Sequence, residues 1–214
     1  PMRLAMIGHK DFPSRSGGVE VVVWELATRL ARRDCRVAVY NRGRRRGDNH
    51  GWAEGVEYFR APTMGTGGVS AMLCSLTATV QALLHGYDLI HYHALGPSVM
   101  LALARLGGVR TVATVHGLDW RRAKWNAFAS GYLRLGERVI AKYADEVIVL
   151  SRDVQAYFRD VYGRETHLIE NGVAPVEYAP CGEIARRWGL EKGSYVLFLA
   201  RIVPEKGLHY LIRA

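Results

Sequence analysis

Gly17 and Gly18 stand where a polar loop leads into an amphipathic stretch, a position at which backbone N–H groups can bind an anion. The eight residues between Gly8 and Gly17 exclude the tight dinucleotide-binding fingerprint, whose glycines are closely spaced. A longer loop can instead reach over a cleft and hold a phosphate. The alternative is that the two glycines only let the chain turn into the helix. This segment alone leaves both interpretations open.

Polar side chains also follow several later apolar runs, at the points where predicted strands end. Ligands of open parallel sheets bind beyond the carboxyl ends of the strands, so we expect these residues to meet on one rim. Each also has a structural alternative, because polar residues at strand ends often cap the next helix. The glycine after His116 favours a functional role for that histidine. The residues are His93, His116, Asp119, Ser151, Asn171 and Gly172.

Apolar periodicity predicts the elements that would position these residues. Short β-branched or apolar runs alternate with helical patterns for about seven rounds, which predicts a doubly wound, mainly parallel, Rossmann-like α/β sheet. We expect Ser151 to be the N-cap of a helix that ends near Tyr162. The aromatic residues at helical spacing between 125 and 143 are expected to be core. The predicted strands are 4–7, 35–40, 55–60, 88–93, 110–115, 145–150 and 166–169, and the main predicted helices are 19–32, 69–85, 96–106, 120–143 and 151–162.

A boundary is predicted after residue 173. Residues 1–173 would form the first domain, residues 174–194 a linker with a short helix at 183–188, and residues 195–214 the incomplete start of a second domain. That start would consist of an apolar strand at 195–200 and half a helix from Leu208. Because the strand has no sheet to join, its apolar side chains are expected to be exposed.

Lysine and arginine number 29 against 20 aspartate and glutamate, which gives a formal net charge of +9. Basic clusters attract nucleic acid, anionic membranes or phosphorylated substrates, although a cluster can also be a solvated loop. No interleaved aromatic and basic module supports nucleic-acid binding. We therefore expect exposed loops with some membrane attraction. The basic clusters are Arg42 to Arg46 and Arg121, Arg122 and Lys124.

Cysteines and hydropathy bear on the compartment. Cys35, Cys74 and Cys181 are widely spaced and form no CxxC pair, which argues against a zinc site or a secreted disulfide framework. The first apolar run is too short for a signal sequence, and polar residues interrupt the apolar stretch at 72–84. These features predict a cytoplasmic protein that is soluble or at most peripheral at the inner face of the membrane.

Four motifs in order resemble glycosyltransferase family 4, which comprises retaining enzymes of the GT-B fold. They are Gly17-Gly18-Val19-Glu20, Thr114-Val115-His116-Gly117, Glu170-Asn171-Gly172-Val173, and Arg201 with Glu205-Lys206-Gly207. Segments 12–18 and 116–125 are similar to a bacterial branch that contains rhamnosyltransferase-like proteins. The resemblance implies two Rossmann-like domains across a cleft, with the acceptor mainly on the first and the nucleotide-sugar donor mainly on the second. The first domain of this fold would be residues 1–173.

The resemblance also implies roles for individual residues. Gly17 and Gly18 would offer backbone N–H groups to the donor's pyrophosphate, and His116 would hydrogen-bond the transferred sugar. Arg201 and Lys206 would neutralise the departing diphosphate, because fixed cations stabilise charge where it develops. The remaining candidates are Asn171 and Gly172 for the nucleotide-sugar and Glu20, His93, Asp119 and Ser151 for the substrate.

The resulting hypothesis is a retaining hexosyltransferase-type enzyme of bacterial surface-polysaccharide assembly. It would move a sugar from a nucleotide-diphosphate sugar to a saccharide acceptor that is lipid-linked, with an anionic membrane surface as a further candidate partner and no nucleic acid. The chain contains no Asp-x-Asp motif, so we expect no metal and no other cofactor. The alternative is a non-catalytic nucleotide or nucleotide-sugar binding module of the same fold. The 214 residues alone are expected to be inactive, and the donor sugar is not specified by them.

Overall fold

The computed structural model describes residues 1–42, 49–121, 126–175, 177–178, 180, 182–200 and 202–214. The chain divides into two compact units, Pro1–Asn171 and Gly172–Ala214. The predicted clusters at Arg44 to Arg46 and at Arg122 and Lys124 lie outside the described residues, as do Trp125, Cys181 and Arg201.

Within the described residues, the first unit contains an eight-stranded sheet in the order β3-β4-β2-β1-β5-β6-β7-β8. All neighbouring strands pair in parallel except β3 and β4, which are antiparallel. The strands are β1 (Met2–Ile7), β2 (Cys35–Asn41), β3 (His50–Ala53), β4 (Val56–Arg60), β5 (Leu89–His93), β6 (Arg110–Val115), β7 (Glu146–Val149) and β8 (His167–Leu168).

Helices cover both faces of this sheet, because strands such as β1 carry apolar side chains on both faces. Leu4 and Met6 join one buried cluster, which includes Val23 of the first helix. Ala5 and Ile7 point the other way, because side chains alternate along a strand, and join the cluster that contains Ala78 of the second helix. The α-helices are α1 (Gly18–Ala31), α2 (Gly67–His85), α3 (Leu101–Leu106), α4 (Ala127–Tyr143), α5 (Arg152–Tyr162), α6 (Gly182–Trp188) and α7 (Leu208–Arg213). The prediction of a doubly wound, mainly parallel Rossmann-like sheet is confirmed.

The elements differ from the predicted ones in two places. The sequence pattern predicts no strand at His50–Ala53, where the structure has the edge strand β3. The predicted helix at 96–106 consists of a 3-10 turn, Pro97–Met100, followed by α3. The chain folds tightly here because Gly136 of α4 packs against the backbone carbonyl of Leu95, where a Cβ would lie only 1.9 Å away.

The aromatic stripe between residues 125 and 143 is only partly on the core face of α4. The prediction is wrong for Phe128, Leu135 and Tyr143, which are exposed, whereas Tyr132 is half-buried; Trp125 is outside the described residues. The buried face carries mainly small and aliphatic residues: Leu133, Gly136, Val139 and Ile140. A helix that packs closely against a neighbouring turn favours small side chains there, and Phe128 and Tyr143 lie on the outer side.

The predicted strand at 195–200 is also wrong. Val196 is 79% exposed and Leu199 is 90% exposed, and the segment has no strand hydrogen bonding. The described part of the second unit contains no strand. An apolar run becomes a strand only when a neighbour supplies hydrogen-bond partners and a surface to pack on.

Helix α2 is long and apolar enough to cross a membrane when judged by length and composition alone. Core helices of soluble proteins pass the same test. Cys74, Ala78 and Ala82 of this helix are buried in the core, whereas Val80 and Leu84 are exposed. In this structure the helix packs on one face of the sheet.

Candidate functional site

The carboxyl ends of β1, β5 and β6 lie side by side and bring two of the predicted residues, His93 and His116, together. Ile7 is in register with Tyr92, and His93 is in register with Thr114. Gly8 follows β1 with φ of +126°, and a Cβ there would lie 2.1 Å from the carbonyl oxygen of His93. Only glycine accepts both that backbone conformation and that contact. The loop after β1 is thus held directly against the end of β5.

His93 and His116 form a hydrogen-bonded pair at this edge. Nδ1 of His93 lies 3.2 Å from Nε2 of His116. The ring of His93 has no exposed surface, and its Nε2 has no hydrogen-bond partner among the described residues. His116 is half-buried and lies nearer the surface. Of the two predicted residues, His93 is therefore the inner one and His116 is the outer one.

A third histidine, His91, packs against the ring of His93. His91 stacks on His93 with ring centroids 4.2 Å apart, and its Nε2 lies 2.7 Å from Oγ1 of Thr114. His91 and His93 are two residues apart on β5 and therefore share a face of the sheet. The three imidazoles form a continuous row from the interior to the edge.

All three imidazoles are held in the neutral form. Burial lowers the pKa of His91 to about 3 and the pKa of His116 to about 4, and it holds the pKa of His93 well below its ordinary value. The neighbouring rings add to the effect for His91 and His93, because two adjacent imidazolium charges repel. Near neutral pH each ring is therefore at once a donor and an acceptor.

His9, which was not predicted, borders the same edge. The amide nitrogen of Asn41 donates to the carbonyl oxygen of Phe12 at 2.7 Å, so its oxygen faces Nε2 of His9 at 2.9 Å. His9 therefore donates from Nε2, and its buried Nδ1 is left without a described partner. Burial lowers the pKa of His9, with the nearby Glu20 carboxylate acting in the opposite direction.

Glu20 and Gly17 close the side of α1. Glu20 is buried, and its Oε1 accepts a hydrogen bond from the backbone N–H of Lys10 at 3.0 Å. A Cβ on Gly17 would lie 2.3 Å from the other carboxylate oxygen, so a side chain there would displace the Glu20 carboxylate, whereas Gly18 has open space around it. Among the described residues no side chain caps α1. Its first backbone N–H groups are therefore open to a ligand.

The turn after β6 is anchored by a hydrogen bond to Glu137. Asp119–Arg121 forms one 3-10 turn, in which Nε1 of Trp120 donates to Glu137 at 2.6 Å. Tyr157 and Tyr162 also donate to this carboxylate, at 2.7 and 2.5 Å. Glu137 is only 1% exposed. It ties the turn that carries Asp119 to both α4 and α5.

Ser151 is the N-cap of α5, as predicted. Its Oγ accepts from the backbone N–H of Val154 at 3.3 Å, so part of its hydrogen-bonding capacity is used within the fold. Its predicted contact with substrate stays a prediction.

The remaining candidates come from the end of the first unit and from the second unit of the chain. Asn171 is exposed at the end of the first unit. Gly172 belongs to the second unit, as does Lys206, which is exposed in the turn Pro204–Lys206. Arg201 is outside the described residues. The proposed roles of these four residues stay predictions.

Reasoning from the sequence did not identify His9, His91, Asn41 or Glu137. The His-x-His spacing at the end of β5 was visible and places both rings on one face. Glu137 gave no comparable indication, since its three partners come from two other elements, the turn Asp119–Arg121 and α5. Within the described residues, no group of three or more histidine, cysteine or acidic side chains is arranged to hold a metal ion.

Relatives of known activity match most of this chain. It is 30% identical to the D-inositol 3-phosphate glycosyltransferase of Acidothermus cellulolyticus, covering 100% of the chain and 54% of the relative. It is 29% identical to the GDP-mannose-dependent alpha-(1-6)-phosphatidylinositol monomannoside mannosyltransferase of Mycolicibacterium smegmatis, covering 95% of the chain and 54% of that protein. The chain thus spans about half the length of the curated relatives it matches.

A solved structure shows the same fold. The sucrose-phosphate synthase of Thermosynechococcus elongatus superimposes with a TM-score of 0.69 at 19% identity, covering 90% of this chain and 54% of that one. The model of Glycosyltransferase Family 4 matches residues 16–177. This range includes the glycine loop, the histidine row and the Glu137 cluster. The chain belongs to Glycosyltransferase Family 4.

Proposed function

We propose that the complete protein is a retaining, metal-independent glycosyltransferase and that residues 1–171 form the acceptor-side wall of its cleft. The observation that carries the proposal is the neutral His93–His116 pair, which lies beside the uncapped start of α1 at the carboxyl edge of the sheet. A nucleotide-sugar needs an anion site for its diphosphate and a neutral donor for its sugar hydroxyls. The start of α1 offers the anion site, and the histidine pair offers the neutral donor.

His116 supplies the neutral donor. Its low pKa keeps the ring uncharged across the physiological range, so it can hydrogen-bond a hydroxyl without repelling positive charge that develops at the reacting carbon. The buried carboxylate of Glu20 is the nearby charge that acts on His116, and it favours the same developing positive charge. The pair could therefore stabilise an oxocarbenium-like transition state.

The start of α1 supplies the anion site. Gly17 has no side chain to cover the first N–H groups, and Glu20 makes no cap hydrogen bond to them: its Oε1 accepts from Lys10 N, while its other oxygen lies beside Gly17. A diphosphate can then accept hydrogen bonds from the backbone of the first turn. Arg201 and Lys206 would add positive charge from the second domain when the leaving group departs.

The acceptor is proposed to be a phosphorylated or lipid-linked saccharide or polyol. The relatives are named for inositol 3-phosphate and phosphatidylinositol monomannoside, and the net charge of +9 suits an anionic acceptor. We propose transfer at the cytoplasmic face of the membrane, in assembly of surface glycans. The rhamnosyltransferase-like branch remains one proposal for the sugar.

The test uses the complete protein with its second domain and a panel of labelled nucleotide-sugars. His116→Ala should lower kcat about a hundredfold, which corresponds to about 2.7 kcal/mol of transition-state interaction. His167→Ala removes a histidine from the exposed edge strand β8 and serves as the matched control. Circular dichroism should show both variants folded.

Two outcomes would contradict the proposal. Binding of a nucleotide-sugar without any transfer or hydrolysis would identify a non-catalytic module. Equal turnover of wild type and His116→Ala would remove His116 from the chemistry.

A further inference from the structure

His93 is an unusual residue to find under a reactive histidine, because it is completely enclosed and cannot itself touch a substrate in this conformation. Its one described side-chain hydrogen bond goes to His116. This contact uses Nε2 of His116, so Nδ1 is the ring nitrogen that remains for a ligand. Any effect of His93 on the reaction must therefore act through His116.

We propose that His93 is a positioning residue: its Nδ1–H donates to Nε2 of His116 and thereby fixes His116 as the Nδ1–H tautomer. His116 then presents an N–H donor to an oxygen of the transferred sugar. This inference rests on the proposed function of His116.

The direction of the hydrogen bond follows from the unpaired nitrogen of His93. If His116 were the donor, the proton of His93 would lie on Nε2, which is buried and has no described acceptor. If His93 is the donor, Nε2 carries only an unpaired lone pair. Buried N–H groups without an acceptor are rarer in proteins than acceptors without a donor. The arrangement with His93 as donor is therefore favoured.

The groups around His93 are closely packed, and none of the described ones makes a hydrogen bond to its ring in place of His116. His91 stacks on one side at 4.2 Å, and Gly8 presses against the backbone carbonyl of His93. The titratable groups that face the pair are His9, His91 and Glu20, of which the two histidines are neutral because burial lowers each pKa. A rigid, uncharged neighbour can select a tautomer without adding charge to the site.

Nitrogen-15 NMR of the labelled chain reads the tautomer directly, since two-bond couplings identify which ring nitrogen carries the proton. We expect His116 to be protonated on Nδ1 at pH 7. His93→Gln should abolish this preference, because a glutamine amide reaches as far as imidazole Nε2 and leaves the Nδ1 position empty. His93→Asn should retain it, because an asparagine amide places an N–H near the Nδ1 position.

His91→Gln is the matched control. It changes a buried histidine of the same strand but keeps a polar group near Thr114, so the tautomer of His116 should be unchanged. In the complete enzyme, His93→Gln should lower kcat about tenfold with KM nearly unchanged, and His93→Asn should recover most of the loss.

An Nε2–H tautomer of His116 in the wild type would overturn the inference, and so would an unchanged Nδ1–H tautomer in His93→Gln. If His93→Gln does not fold, the wild-type tautomer and the His93→Asn spectrum still decide. If His116→Ala left kcat unchanged, the proposed function would be wrong. The inference about the tautomer would still be tested separately, because the NMR measurement does not depend on turnover.

Discussion

The first unit contains two buried polar clusters that lie close to the same strand end but are built differently. At Glu137, one carboxylate accepts from Trp120, Tyr157 and Tyr162, so every donor has an acceptor. In the histidine row, by contrast, the buried Nε2 of His93 and Nδ1 of His9 have no described partner. Saturated clusters stabilise a fold, whereas spare polar atoms carry a cost that a binding or catalytic role would explain.

The largest expected effect is on the saturated cluster. Glu137→Gln replaces one acceptor oxygen by an NH₂ group. The new amide N–H then faces a side chain that is itself a donor, namely Trp120, Tyr157 or Tyr162. We expect the free energy of unfolding to fall by about 3 kcal/mol, because a buried donor without an acceptor costs about 1–3 kcal/mol and a hydrogen bond to charge is lost as well. Urea unfolding followed by circular dichroism measures this change.

Glu25→Gln is the matched control for Glu137→Gln. Glu25 pairs with Arg15 and Arg29 on the surface of α1, and exposed ion pairs contribute at most about 1 kcal/mol. The Trp120→Phe change should cost less in the Glu137→Gln background than in the wild type, since it removes the unmatched donor. Equal losses for Glu25→Gln and Glu137→Gln would show that the buried cluster is no more important than a surface pair.

The two clusters also differ in how far the sequence revealed them. Strand ends can be recognised from apolar runs, and parallel pairing then places His93 and His116 at one edge, so this part of the site was predictable. The depth of His93 and the Glu137 cluster depend on the packing of α4 and α5, which periodicity does not determine. The exposed run at 195–200 shows the same limit, because its strand composition is not enough without a neighbouring strand.

The histidine row should make the protein sensitive to acid. Folded-state pKa values of His91 and His116 lie at about 3 and about 4, whereas the same side chains titrate near 6.5 when unfolded. Protons therefore bind the unfolded chain first, so stability is fully present above about pH 6.5 and is lost as pH falls toward the folded values. For each buried histidine the loss between pH 6.5 and 5 is about 2 kcal/mol.

His91→Gln isolates the contribution of one ring. Its free energy of unfolding should decline less steeply than that of the wild type below pH 6.5, with the two curves converging by about 2 kcal/mol at pH 5. Urea titrations at pH 7.5, 6 and 5 supply the measurement. Parallel curves would mean that His91 takes up protons equally in the folded and the unfolded chain, and the neutral description of the row would fail.

The smallest expected effect concerns Ser151, which lies at a strand exit but resembles the saturated cluster because its Oγ already accepts from Val154 N. Ser151→Ala should lower the free energy of unfolding by about 1 kcal/mol, as should Asn126→Ala at the start of α4, where Oδ1 accepts from Ala129 N at 2.8 Å. Ser151→Asn should keep the stability, because asparagine is an equally good N-cap. If the cap is its whole function, Ser151→Asn also keeps kcat/KM of the complete enzyme within about tenfold, or about 1.4 kcal/mol. A larger loss in a variant of normal stability would show instead that the Ser151 hydroxyl contacts the substrate, and polar residues at strand exits would then contribute to binding even when they are hydrogen-bonded within the fold.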